Sequence, residues 1–205
     1  MTTKLATFIS MIFHPLLLTS FLFLILSYFA PYITTPVSGA IASFLLIVFV
    51  ITFLIPLLSI SLLKISKSIT NFQLEDRKER VLPFSFISIF YMIISGMFVF
   101  KLGLSPVFNQ IFITITIIVM TITIITLYWK ISAHSAGVAG LMGFLLAFHI
   151  KSPLGNLLWP IFFTVLVVGM VMSARLYLNV HRPGEVQVGA LLGFCFSFFS
   201  TIFFG

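Results

Sequence analysis

Residues 5–63 carry no Asp, Glu, Lys or Arg, and shorter intervals of the same kind follow, separated by tight clusters of charge. Of the 205 residues only 7% are charged and 60% are hydrophobic, where a soluble domain carries about 25% charge. Such a chain cannot present a watery surface, so its solvent is a bilayer. Lipid offers no partner to an open backbone, which leaves helices or a closed barrel as spanning elements. The apolar runs are continuous rather than alternating, and that excludes barrel strands.

The charge-free intervals predict about seven helices, at 5–30, 37–63, 84–100, 107–128, 136–150, 155–174 and 186–205. Each is close to the about 20 residues that a crossing needs. Punctuation agrees: Pro31 and Pro36 bracket the first turn, Pro83 starts the third helix, and Gly103 to Pro106 and Ser152 to Gly155 make turns. Pro15 and Pro56 are expected to kink their helices. The fold class is therefore all-α, a polytopic bundle of 6–7 spans forming one transmembrane domain over 1–205. The run after Met1 to Lys4 is too long for a secretion signal and reads as the first span. Cys195 has no partner for a disulfide, and the many Phe side chains read as lipid-facing bulk.

If all seven helices cross, residues 64–83, 129–135 and 175–185 share one face with the N-terminus. That face holds nine of the eleven Lys and Arg, and Lys101 and Lys151 are left on the other. The positive-inside rule predicts that this face is cytoplasmic, and the membrane is expected to be a bacterial inner membrane. The net charge of +7 is then matched to lipid headgroups or an anionic substrate rather than to nucleic acid.

Three clusters on this face carry chemistry. In Ala174 to Glu185 the spacing is R-x5-H-x3-E, from Arg175 through His181 to Glu185. Pro183 suits the first position of a helix. His181 then stands just outside a helix N-terminus, and Glu185, one turn in, can orient one ring nitrogen and leave the other lone pair for attack. That helix end also suits a phosphate. The second cluster, Lys130 to Gly137, offers Ser132, His134 and small residues at a loop-to-helix boundary. Gly137, Gly140 and Gly143 on the helix after it, with Gly189 and Gly193 on the last helix, would let the two approach closely and bring their loops together. A helix of 136–150 would be about 22 Å long, against a core of about 30 Å, which recesses His134. The third cluster runs from Glu75 to Pro83, where Arg77 and Arg80 share a helical face with Lys78 beside them, and guanidinium forks suit phosphate oxygens. Of the other histidines, His14 is expected to bond a neighbouring helix and His149 to sit at the opposite interface.

The stretch Ala174 to Gly193, with His181-Arg182-Pro183-Gly184-Glu185, resembles the third motif (S-R-x5-H-x3-D) of the type 2 phosphatidic acid phosphatase and vanadium haloperoxidase superfamily. Ser132-Ala133-His134 resembles its second, P-S-G-H. The resemblance implies a metal-independent lipid phosphate phosphatase without cofactor, acting on a membrane lipid phosphate. In it His181 attacks phosphorus to form a phosphohistidine, Glu185 orients His181, and His134 protonates the leaving group. Arg175 and Ser132 hold the phosphoryl oxygens. Glu185 stands in place of Asp, Ala174 in place of Ser, and Ile131 and Ala133 in place of Pro and Gly. In the first motif, K-x6-R-P, Gln73 stands at the Lys position and Pro83 lies three beyond Arg80. Arg80 and Arg77, with Lys78, take that motif's phosphate-binding role by position. The competing class is a catalytically degenerate protein that binds or transports anionic lipid. An intramembrane prenyl transferase is excluded, because Asp76 is the only Asp and paired D-x3-D magnesium sites need more.

Overall fold

The computed structural model describes residues 1–34, 39–70, 76–102, 105–152 and 156–205. Pro36, Gln73, Glu75, Gly103 and Gly155, named above, lie outside the described residues. All regular structure among the described residues is helical. The chain opens with α1 (Thr3–Ile12), α2 (Pro15–Phe29) and the short α3 (Pro31–Thr34). Next, α4 (Ile41–Phe49) and α5 (Ile55–Ile65) join through a π-helical turn, Val50–Leu54. Then come α6 (Arg77–Met97), prolonged by a π-helical turn at Phe98–Leu102, and α7 (Pro106–Tyr128). Last are α8 (Ala133–Lys151), α9 (Leu158–Tyr177) and α10 (Pro183–Phe204). Among the described residues six helices are long and apolar enough to cross a membrane: Ile41–Ile65, Arg77–Lys101 and the four from α7 to α10.

The expected first span, 5–30, is not one kinked helix. It is a pair, α1 and α2, bent by 58°. Pro15 brings no N–H and disfavours helical backbone at the residue before it. His14 is accordingly extended and caps α2, its Nδ1 accepting the Leu16 N–H at 3.4 Å. Pro56 acts differently. It strips the Thr52 carbonyl of its helical donor, and the Tyr91 hydroxyl of α6 donates there instead, at 3.2 Å.

Two other boundaries also move. The third helix begins at Arg77, not at Pro83, because Asp76 caps it by accepting the Lys78 N–H at 2.9 Å. Pro83 lies inside α6, and the extension puts Arg80 on a helix shaft rather than in a loop. The helix expected at 136–150 starts at Ala133, where the Ser132 Oγ accepts the Ser135 N–H at 3.3 Å. Its 19 residues span about 28 Å, so α8 is not unusually short and His134 sits in its first turn.

The glycine stripes do bring α8 and α10 together. A Cβ at Gly193 would lie 1.9 Å from the Ala136 carbonyl oxygen, and one at Gly143 2.6 Å from that of Phe194. Gly189 packs the same way on the Ser132 backbone. Gly137 faces Leu18 of α2 instead. Not all Phe side chains face lipid. Phe23, Phe108 and Phe112 are fully buried, with Phe23 at 5.2–5.4 Å between ring centroids from Phe44, Phe108 and Phe112. Phe100, Phe162, Phe163 and Phe203 remain exposed. Hydroxyls clasp α6 to α7, through Ser88 and Thr123 at 2.7 Å and Ser95 and Thr116 at 2.6 Å. One end of the bundle joins residues 128–132 to the first turn of α10, the Ser132 N–H donating to the Glu185 carbonyl at 3.1 Å. At the other end the Asn156 N–H donates to the Phe29 carbonyl at 3.0 Å.

Candidate active site

The R-x5-H-x3-E spacing is a helix–loop–helix joint. Arg175 lies in the last turn of α9, the Leu178 N–H closes the helix on the Ala174 carbonyl, and Asn179 takes the left-handed conformation at φ 53°. Asn tolerates that region better than most residues, and it turns the chain towards α10. Arg182 precedes Pro183 at the first helical position, so His181 stands just outside the helix and Glu185 one turn inside. The His181 Nδ1 lies 2.7 Å from the Glu185 Oε2, and both side chains are buried.

The partners fix the tautomer. A carboxylate only accepts, so the His181 Nδ1 carries the proton. The Arg80 guanidinium only donates, and its NH1 lies 3.4 Å from the His181 Nε2, so Nε2 presents its lone pair. Burial first, then the charges of Arg80, Arg175 and Lys130, hold His181 below the ordinary imidazole range. The ring is thus neutral at pH 7, with one nitrogen held and the other aimed at a cation.

His134 reaches the same end of the bundle. Its Nε2 lies 3.2 Å from the Ser10 carbonyl oxygen of α1. Because a carbonyl only accepts, Nε2 carries the proton and Nδ1 remains for other chemistry. The Ser132 hydroxyl is buried, bonded to the Ser135 Oγ at 2.9 Å, and used as the α8 cap, so it does not line the cavity described below.

Of the third cluster, the structure brings in Arg80 alone. Arg80 is buried, and its NH1 also donates to the Ile131 carbonyl at 3.3 Å. Arg77 turns the other way, its NH1 donating to the Thr126 carbonyl at 3.1 Å and to that of Leu127. It satisfies carbonyls that the end of α7 leaves open. Lys78 is exposed. Arg77 and Arg80 stand only about 60° apart around α6, but the open carbonyls at the end of α7 draw the Arg77 guanidinium away from Arg80.

Arg80, His134, Arg175 and His181 line one end of a cavity of about 860 Å³. It extends along the helices past Tyr91 and Phe144. The distance from His134 to Phe144 along α8 is about 15 Å. The arrangement pairs a cationic, histidine-bearing head with an apolar trough. The trough also takes in Ser10 and His14, which the sequence reading left out of the site. The one available signal was His14-Pro15, a helix break in the middle of an apolar run. Among the described residues no three of His, Cys, Asp and Glu gather as a metal-holding group.

A family model, described as the PAP2 superfamily, matches residues 128–205. The matched stretch contains His134, Arg175, His181 and Glu185, but not Arg80. No curated protein and no solved structure matches the chain.

Proposed function

We propose that the chain, whose residues 128–205 match the PAP2 superfamily, belongs to that superfamily and is a lipid phosphate phosphatase working through a phosphohistidine on His181. The superfamily accounts for phosphatase-type activity on phosphate esters; the lipid substrate and the covalent intermediate are our own reading. One observation carries it. The His181 Nε2 lone pair faces Arg80 while Glu185 holds Nδ1, at the head of an apolar trough.

The substrate would be a phosphate or pyrophosphate monoester whose tail lies in the trough and whose phosphoryl group enters between the His181 Nε2 and Arg80. Arg80 and Arg175 hold its oxygens. In the first step Nε2 bonds to phosphorus as the bond from phosphorus to the leaving oxygen breaks. His134, protonated at Nδ1 as substrate binds, gives that proton to the leaving oxygen. Glu185 stabilises the positive imidazole that forms. In the second step water attacks phosphorus, His134 takes a proton from it, and the N–P bond breaks. Phosphate leaves with the proton that His134 took, and both histidines are neutral again. Positioned acid–base catalysis supplies roughly 10² to 10⁴-fold of such a rate, and electrostatic stabilisation by the arginines adds to it.

Phosphate release from phosphatidate and from an isoprenyl diphosphate, by purified protein in EDTA, tests this. Turnover lost in His181→Asn supports it; turnover unchanged in that variant contradicts it. Orthovanadate binding without turnover of either lipid would favour the anionic-lipid binding protein instead. The charge bias supports an active site on the cytoplasmic face of the membrane, which we read as a bacterial inner membrane. Labelling of a cysteine placed at position 182, in intact cells against opened membranes, tests that side.

A further inference from the structure

We propose that the break between α1 and α2 positions the general acid: the Ser10 carbonyl and an aromatic ring at position 14 together hold His134 so that its Nδ1 meets the leaving oxygen. The proposal rests on the phosphatase reading for its reaction, but not for its geometry. A helix leaves its last four carbonyls open. Since α1 ends at Ile12, the Ser10 carbonyl is one of them, and the His134 Nε2 takes it at 3.2 Å. Had the chain continued as one helix, the N–H of residue 14 would have claimed that carbonyl. Pro15 prevents the continuation, so a proline in α2 ends up fixing the tautomer of a histidine on α8.

His14 supplies the second constraint. Its ring stands edge-on to that of His134, 5.4 Å between centroids and 81° between planes. A hydrogen bond to one nitrogen leaves an imidazole free to swing about that bond; a ring packed against it at right angles blocks the swing. His14 is itself held, because its Nδ1 accepts the Leu16 N–H as the α2 cap. Both histidines line the trough beside Arg175 and His181. Glu185 orients the nucleophile, and the Ser10 and His14 pair does the same for the acid. The family match, confined to residues 128–205, does not extend to either residue of that pair.

His14 has two roles that substitution can separate. Asn is a good helix cap, so His14→Asn keeps the cap and removes the ring; His14→Phe keeps a ring and removes the cap. The leaving group then tells positioning from packing. Dodecyl phosphate expels a basic alkoxide that needs the His134 proton, whereas 4-nitrophenyl phosphate expels an anion that does not. Misplacing a catalytic group by about an ångström costs on the order of 10²-fold. We therefore expect His14→Asn to lower kcat/KM, which reports the steps up to departure of the leaving group, on dodecyl phosphate roughly 10- to 100-fold and on 4-nitrophenyl phosphate about twofold or less, with His14→Phe within about threefold of wild type on both. Equal losses on the two substrates, or a loss in His14→Phe as deep as in His14→Asn, would overturn the proposal. The ¹⁵N shifts of His134 decide the matter without turnover. A single Nε2–H tautomer in the wild type that becomes mixed in His14→Asn supports the proposal; a mixed tautomer already in the wild type overturns it. A wild type inactive on both esters would sink the phosphatase reading and leave this second measurement standing.

Discussion

The two halves of the molecule build the same site by different means. From Trp129 onwards the site is local: one helix–loop–helix joint carries Arg175, His181 and Glu185, and a glycine-lined contact sets His134 beside them. Before that point the contributions are long-range. Arg80 comes from the shaft of α6, and Ser10 and His14 come from a break in the N-terminal helix pair. Chemistry written into the spacing of one loop is read directly, whereas chemistry that depends on which helices meet is not.

The largest expected effect is on the local half. His181→Asn should lower kcat on a lipid phosphate by at least about 10³-fold, because it removes the attacking Nε2; a loss under about tenfold would break the assignment. Next comes the packing that holds the two motif loops together. Gly193→Ala drives a methyl into the Ala136 carbonyl, where a Cβ would sit at 1.9 Å. Overpacking of this kind costs about 1–3 kcal/mol or more, so thermal unfolding in detergent should shift down by several degrees and activity should fall with it. An unchanged midpoint would mean that α8 and α10 do not pack this closely.

The long-range half is tested by two arginines that a sequence cannot tell apart. Arg80→Ala should lower kcat/KM by roughly 10²-fold, the scale of one lost transition-state donor. Arg77→Ala, which only uncaps α7, should change it about threefold or less, with any larger loss appearing as reduced stability. Equal losses in turnover would restore the joint phosphate role expected from sequence. The smallest effect is that of pH. The folded His181 is held below the ordinary value of 6.5, so below pH 6.5 the unfolded chain binds a proton that the folded one refuses. The stability this neutral ring contributes is complete above that pH and is lost as pH falls. The unfolding midpoint should drop between about pH 6.5 and 5 in the wild type and less in His181→Asn. Identical slopes would contradict a buried neutral imidazole.

The membrane helices were legible because lipid forces every backbone group inward, and long charge-free runs admit few other solutions. The α8–α10 contact was legible from five glycines, although Gly137 serves α2 instead. The joint at His181 was legible because cap, proline and spacing all act within one turn. Three features were hidden. Asp76 starts α6 ahead of a proline that looks like a helix start. His14 and Pro15 read as a kink and proved to be a break. The carbonyls that draw Arg77 away from Arg80 are met only once α7 is in place. Each is decided by a neighbour distant in sequence. The same holds for the core made by Phe23, Phe108 and Phe112 in a chain whose other phenylalanines largely face lipid.

The central claim is a covalent phosphohistidine on His181, and trapping it is the direct test. Purified protein would be mixed with a lipid substrate carrying a labelled transferable phosphate, quenched in alkali within milliseconds, and digested for peptide mapping. The account predicts one acid-labile, alkali-stable labelled peptide containing His181, absent in His181→Asn. A wild type that turns over with no such label, or with label on another residue, would contradict it.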